Sequence, residues 1–392
     1  MFPTHNHSEC SKYSDFTSIM SSISYYLQAL FLGSFVVLFF SRNGKTDRFL
    51  ASMVGIWVIG VCFIYFRYGA IAQLWFYQND QIWHWKLVDT WIQLRPEYTL
   101  DGFNFLRVPY TVPALMLHLV GFNDILSLKF VSLVSAALNY KIVRSYLEES
   151  GISIRPIHIY AFSGPFILFF SLLALRETTM LLFVSIVFFR KNLPGRVIAL
   201  IALGILRPHL AVAIAFGFAW GWVMARAPRP WYFATVAITA LAPIWAGTLG
   251  FSLGNLIINK LPMQLYQDLF LKSQITQVFS SFVGLQFLTV AYQTVEYTTR
   301  SILLIRLVFP ELVLVPLLFT STLLIYKQEL TQLKLTVLAT FVFYVSVSTG
   351  TEYLSVRQTL PMFSILAVVI IQSYIKPKSS KTAELIVNNA TN

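Results

Sequence analysis

Eight charged or titratable residues stand in this chain at places where an oily sequence gains nothing by carrying them. Asp80 and His84 lie four apart in FYQNDQIWHWKL (76–87), among Trp75, Phe76, Trp83 and Trp85. Arg107 opens RVPY, Arg176 and Glu177 adjoin in ALRETT, Arg207 and His209 flank Pro208 in ILRPHL, and Arg357 lies in EYLSVRQTLP. A lone carboxylate suits a general base, a role worth about 10²–10⁴-fold in rate. Arginine suits phosphate, because its planar fork binds oxyanions through two hydrogen bonds and keeps its charge. Together they fit one reaction class: Asp80 deprotonates an acceptor hydroxyl or amine, which attacks the anomeric carbon of a sugar held on a lipid phosphate. The arginines then stabilise the charge growing on the phosphate leaving group. The rings stack on sugar faces or anchor at the membrane interface, the commoner role of such aromatics. His84 shares a helical face with Asp80 if the segment is helical. Orienting Asp80, ligating a metal with it, or sitting at the interface without chemistry are all open to it.

The elements that must position these residues are membrane helices. The chain has 392 residues, 56% of them hydrophobic, 16% aromatic and 12% charged, with a mean hydropathy of +0.66. Soluble domains carry about 25% charged residues, so the composition predicts an all-α polytopic membrane protein. Crossings of roughly 20 apolar residues are expected at 23–40, 49–66, 125–141, 157–175, 178–189, 197–206, 210–225, 231–250, 307–326, 335–350 and 358–375, about eleven in all. Segments 108–120 and 279–292 are too short or broken and read as interfacial or re-entrant helices. Residues 1–22 form a polar N-terminal segment, 23–375 one membrane domain, and 376–392 a basic, polar tail.

Basic residues orient the spans. The connections 42–48, 141–155, 190–196, 225–229, 326–334 and 376–381 all fall on one side, the cytoplasm. They hold sixteen of the 29 Lys and Arg and, with the tail, five of the 17 Asp and Glu; the other side holds twelve of each. The N-terminus is then outside, the C-terminus cytoplasmic, and Asp80 on the outer face. The formal charge of +12 reflects this asymmetry rather than a nucleic-acid partner. Crossings 178–189 and 197–206 are too short as drawn, so Arg176, Glu177, Arg207 and His209 must lie at or below the outer surface. An Arg at the bilayer centre costs roughly 2.5–3.5 kcal/mol on insertion scales. Charges gathered at the outer ends of several spans point to a polar cavity opening outward.

Other signals are weak. Cys10 and Cys62 lie in a polar terminus and an apolar span and are not expected to pair. HNHSEC (5–10) reads as a mobile terminus rather than a metal site. No basic region leads into an apolar core as in a cleaved signal peptide. The halves show no repeat, which disfavours a repeat-built transporter. The outer loop 251–306 is long for a loop without function, and Arg300 and Arg306 in it are candidate acceptor-loop residues.

The order of these features resembles the integral-membrane glycosyltransferases of the GT-C fold, which use polyprenyl-phosphate-linked donors. NDQIWHWKLVDTWIQ is similar to that family's first outer loop. Residues 107–151 resemble its juxtamembrane helix and following span. SLLALRETTMLLFVSIVFF with ALGILRPHLAVAIAF resembles its paired short helices, and EYLSVRQTLPMFSILAV its last outer turn. The resemblance implies a GT-C-like fold over most of 23–375, with Asp80 as the catalytic acid of the first loop. It implies Arg176, Arg207 and Arg357 at the donor phosphate, with Glu177, His209, His84 and Arg107 in support. Asp80 lacks an adjacent second carboxylate and Gln358, not an aromatic, follows Arg357. The expected activity is an inverting, hexosyl-type transfer from a polyprenyl-phosphate-linked sugar to a lipid-linked or polysaccharide acceptor. It would run on the outer face of a bacterial-type inner membrane. No organic cofactor is expected, and a divalent metal stays open. A repeat-unit polymerase of the O-antigen type and a non-enzymatic transporter of lipid-linked glycan are the alternatives.

Overall fold

A computed structural model describes residues 7–41, 47–69, 81, 84–86, 88, 107–224, 226, 310, 314–319, 332–351 and 360–374. The described elements are helical: α1 (His7–Phe40), α2 (Arg48–Tyr68), α3 (Val108–Leu119), α4 (Asp124–Glu149), α5 (Pro156–Ser163), α6 (Pro165–Ser171), α7 (Glu177–Phe189), α8 (Leu193–Leu206), α9 (Pro208–Met224), α10 (Gln332–Thr351), and α11 (Phe363–Tyr374), preceded by a 3₁₀ turn at Leu360–Met362. Residues 81, 84–86, 88 and 314–319 are also helical. Among the described residues, three helices are long and apolar enough to cross a membrane: Met20–Phe40 within α1, then α2 and α4. The crossing expected at 231–250 lies outside the described residues, as does most of 307–326. The chain divides into two compact units, residues 1–137 with 168–179, and residues 138–167 with 180–392.

In the first unit α1 and α2 run antiparallel. Tyr25 stacks on Tyr65 with ring centroids 3.9 Å apart, and a Cβ on Gly33 would come 2.6 Å from Val58 Cγ2. Asp47 caps α2, accepting from Phe49 N at 3.1 Å and Leu50 N at 3.4 Å, which satisfies donors the first turn leaves open. Their outer faces keep large apolar side chains exposed, among them Leu38, Ile59 and Phe66, as lipid-facing surfaces do. Between α3 and α4 the chain turns at Gly121, whose φ of 103° is left-handed and costs a glycine nothing sterically. Gln28 of α1 holds that turn, its Oε1 accepting from Asn123 N at 2.8 Å.

The crossing expected as one helix at 157–175 is two short helices. Gly164 between them is extended, with ψ 179°, because the following Pro165 excludes the helical region from the residue before it. Helix α4 also runs to Glu149, past the expected end at 141, so most of the basic connection after it is helical. Helices α7 and α8 have 13 and 14 residues. At about 1.5 Å per residue they fall short of a hydrocarbon core of about 30 Å.

The second unit is tied by a buried polar network and a close helix pair. Ser185 Oγ donates to Asn139 Oδ1 at 2.6 Å, and Asn139 Nδ2 donates to Ser364 Oγ at 3.0 Å. Ser364 Oγ lies 3.3 Å from Phe162 O, so α4, α5, α7 and α11 share one cluster of satisfied polar groups. Helices α9 and α10 run antiparallel, His209 beside Tyr344 and Gly217 and Gly221 against Thr340 and Thr336. Small residues let helix backbones approach this closely. A Cβ on Gly217 would sit 2.9 Å from Thr336 O and from Thr340 N, and one on Gly221 would sit 2.9 Å from Thr336 Cα. Gly217→Ala and Gly221→Ala are each expected to cost about 1–3 kcal/mol by forcing the pair apart. Gly204→Ala, whose Cβ would meet Ala211 at an ordinary 3.7 Å, is expected to be neutral or stabilising. Unfolding of the purified protein in lipid nanodiscs measures all three.

Candidate functional site: a clamped break before α7

Between α6 and α7 the chain leaves helical geometry for residues 172–176, and Leu173, Ala174 and Leu175 in this turn are fully buried. Buried backbone must find partners, and here they come from elements far apart in sequence. Trp57 Nε1 of α2 donates to Ser171 O at 2.8 Å. Ala174 N donates to Gln81 Oε1 at 3.3 Å. Ala174 O is met by His84 Nδ1 at 3.1 Å; since a carbonyl only accepts, His84 carries its proton on Nδ1. Ser132 Oγ of α4 donates to Leu175 O at 2.9 Å. Within the turn, Leu172 N, Leu173 N and Leu175 N donate to Phe169 O, Phe170 O and Leu173 O. Gly60 of α2 lets that helix close on the turn, for a Cβ there would come 2.7 Å from Leu172 Cδ2.

Around the clamp lie further buried polar groups. The Tyr110 ring meets His84 edge to face at 5.3 Å, and its hydroxyl donates to Leu128 O at 3.2 Å. Burial pushes the Tyr110 hydroxyl far above its ordinary pKa; the Ser132 hydrogen bond works against this and the nearby Glu177 carboxylate adds to it. Tyr110 therefore acts as a neutral hydrogen-bond donor. Ser135 Oγ and Thr179 Oγ1 lie 3.0 Å apart and tie α4 to the first turn of α7.

The expected site residues divide as follows. Asp80, Arg300, Arg306 and Arg357 lie outside the described residues. His84 is buried, 3% exposed, and bonded to the break. Glu177, buried, is the first residue of α7, where the helix dipole favours a carboxylate, and the half-buried Arg176 precedes it. Arg107 stands at the start of α3, its carbonyl accepting from Tyr110 N and Thr111 N at 2.9 and 3.0 Å. In the second unit Arg207 is buried in the one-residue break between α8 and α9. Its Nε donates to His209 Nε2 at 2.7 Å, and its guanidinium lies 6.0 Å from the Tyr344 ring centroid. Among the described residues no group of three or more His, Cys, Asp or Glu comes together.

Sequence reasoning did not single out Gln81, Tyr110, Ser132 or Thr178. Their signal is a polar residue within an apolar run, and each such residue alone reads as ordinary packing. Lys129, fully buried in α4, gave a stronger signal, since ionisable residues inside membrane spans are functional candidates by default. No family model, curated protein or solved structure matches the chain.

Trp57→Phe or Ser132→Ala is expected to leave a buried carbonyl unmet at about 1–3 kcal/mol. Hydrogen exchange should then quicken at the amides of residues 172–177 while the α9–α10 pair keeps its protection. Unchanged exchange at the break would show that these side chains do not hold it.

Proposed function

We propose that the protein is a GT-C-like membrane glycosyltransferase with about eleven crossings. It moves a sugar from a polyprenyl-phosphate-linked donor to a lipid-linked or polysaccharide acceptor on the outer face of a bacterial-type inner membrane. Asp80 is the general base, and Arg176, Arg207 and Arg357 are the donor-phosphate ligands, roles that rest on the order of charged residues along the chain. The observation that favours this reading is the clamped break. A non-helical turn between two helices too short to cross, fixed by four side chains, delivers Arg176 and Glu177 at the start of α7. A fixed cation such as Arg176 is what electrostatic stabilisation of an anionic leaving group needs.

Helix directions support the same reading. The charge-derived order requires α4, α7 and α11 to run parallel. Asn139 pairs with Ser185 and Tyr146 with Phe189, and Asn139 and Tyr146 meet Ser364 and Gln372 in the same sense.

The test is donor consumption by the purified protein in proteoliposomes supplied with polyprenyl-phosphate-linked sugars and a lipid-linked glycan acceptor. Asp80→Asn is expected to lower turnover at least about 100-fold with insertion and unfolding unchanged. Full turnover in that variant would remove Asp80 as base. A ladder of product lengths would mark a repeat-unit polymerase, and movement of lipid-linked glycan without consumption a transporter. A cysteine at Asn79 is expected to react with a membrane-impermeant maleimide applied from outside, and one at Ser379 only after permeabilisation. The reverse pattern would overturn the orientation.

A further inference from the structure

Helices α8 and α9 fold back on each other around Arg207. A Cβ on Gly204 would lie 3.7 Å from Ala211 Cβ, and the Arg196 guanidinium lies 5.1 Å from the Phe218 ring centroid. Both pairs fit one antiparallel register, so the hairpin has its tip at Arg207 and its open end near Asn192 and Trp222. The open end carries the residues of a membrane interface. Arg190, Lys191 and Asn192 are exposed. Trp222 is exposed too, and the Arg226 guanidinium lies 3.9 Å from its ring centroid and donates to Trp222 O at 2.9 Å. From this level α8 rises 14 residues to the tip. That is about 21 Å at 1.5 Å per residue, against a hydrocarbon core of about 30 Å. The hairpin shows apolar side chains along its length: Val197, Ile198 and Ile201 on α8 and Val212 on α9 are exposed. Pro208, at the tip, is exposed as well.

A stretch shorter than the bilayer is accommodated by snorkelling of its flanking residues, by association with another copy, or by thinning of the bilayer. Tilt only shortens its reach across the membrane. Snorkelling fails at the tip. Arg207 is 3% exposed, its Nε donates to His209 Nε2 at 2.7 Å, and its guanidinium lies 6.0 Å from the Tyr344 ring centroid. The side chain is thus held within the protein instead of reaching out to the headgroups. Association fits the exposed face poorly. Membrane helices pair through small or polar residues, and those of this hairpin are engaged elsewhere. Gly217 and Gly221 admit α10, and Gly204 packs on Ala211. Branched aliphatic side chains remain on the exposed face, and they suit lipid tails. We infer that the α8–α9 hairpin faces lipid directly and thins the bilayer beside it by about 9 Å, drawing the headgroups of one leaflet to the level of Arg207. On the function proposed above, on which the orientation and the role of Arg207 rest, that leaflet is the outer one. A donor phosphate carried in an undeformed leaflet rides above the guanidinium, and the thinned leaflet brings it level.

The test uses the full-length protein, carrying Cys10→Ser and Cys62→Ala, in liposomes of dioleoylphosphatidylcholine. A nitroxide is attached at Pro208→Cys or at Val212→Cys, and its depth is read from relaxation by oxygen and by a water-soluble nickel complex. The label at the tip is expected at headgroup depth. The Val212→Cys label is expected about 6 Å beneath the headgroup boundary, against about 15 Å in an undeformed bilayer. A Val212→Cys label near the bilayer centre would overturn the inference, and this site leaves the break untouched should Pro208→Cys fail to fold. Crosslinking between copies at Ile198→Cys, with the Val212→Cys label shielded from oxygen and nickel alike, would also overturn it, by showing that a second copy covers the face. Across monounsaturated phosphatidylcholines from myristoleoyl to erucoyl, the unfolding midpoint is expected to peak at the short end. A peak at the long end would overturn the inference. Consumption of a polyprenyl-phosphate-linked sugar, followed in the same series, is expected to be highest in the same short lipids. No consumption in any lipid, with both labels at the expected depths, would uphold the thinning and remove the transferase reading.

Discussion

Inside a bilayer a backbone group has no water to fall back on, so every carbonyl and amide outside a helix must be met by the protein itself. Residues 172–176 break that regularity and are tolerated because Trp57, Gln81, His84 and Ser132 each meet one of the freed groups at or beside the break. These four side chains come from three separate stretches of chain. The turn therefore takes its shape only once α2, α4 and the segment around residue 81 are in place. What it presents, Arg176 and Glu177, is rigid for the same reason. A charged pair on a frayed helix end would lose most of its value to solvent and side-chain entropy.

Helix α4 distributes that order. Ser132, Ser135 and Asn139 recur at spacings of three and four and so share a face. Ser132 reaches the break, Ser135 the first turn of α7, and Asn139 reaches Ser185 further along α7 and Ser364 of α11. Such a stripe sets rotation and height together. A helix sliding in oil against oily neighbours has little to choose between registers, because lipid tails compete for the same apolar contacts. In the second unit the glycines of α9 do this by shape, admitting the backbone of α10 at one register that also lays His209 beside Tyr344.

Much of the described helical framework was legible in the sequence, because apolar runs bounded by basic turns leave few arrangements. The short crossings expected at 178–189 and 197–206 stood out by length, and Arg207 before Pro208 marked a break that is present. Gly164-Pro165 carried an equally readable signal. It was absorbed into one long apolar run because hydropathy averages over a break that the backbone does not. Helix α4 overran its expected end because Arg144 and Glu148, four apart, pair along the helix at 2.8 Å, where charge alone read as a loop. The clamp was hidden for a different reason. Its members are single polar residues far apart in sequence, and only the fold brings Trp57 and Ser171, 114 positions apart, into one bond.

Stability cannot account for the ionisable residues that the described part buries. Lys129 is fully buried in an otherwise apolar stretch of α4, Glu177 is 2% exposed, and Arg207 is 3% exposed. Insertion scales charge such residues roughly 2.5–3.5 kcal/mol each at a span's centre, and apolar residues of similar volume would pack without that penalty. Their surroundings reduce the cost without removing the alternative: the helix dipole at Glu177, the His209 ring and Tyr344 face at Arg207. Glu177 and Arg207 are held by such local arrangements, each at a break or the end of a short helix, whereas Lys129 lies within the long helix α4. Ser132 of α4, bonded to Leu175 O, helps to hold the break that precedes Glu177.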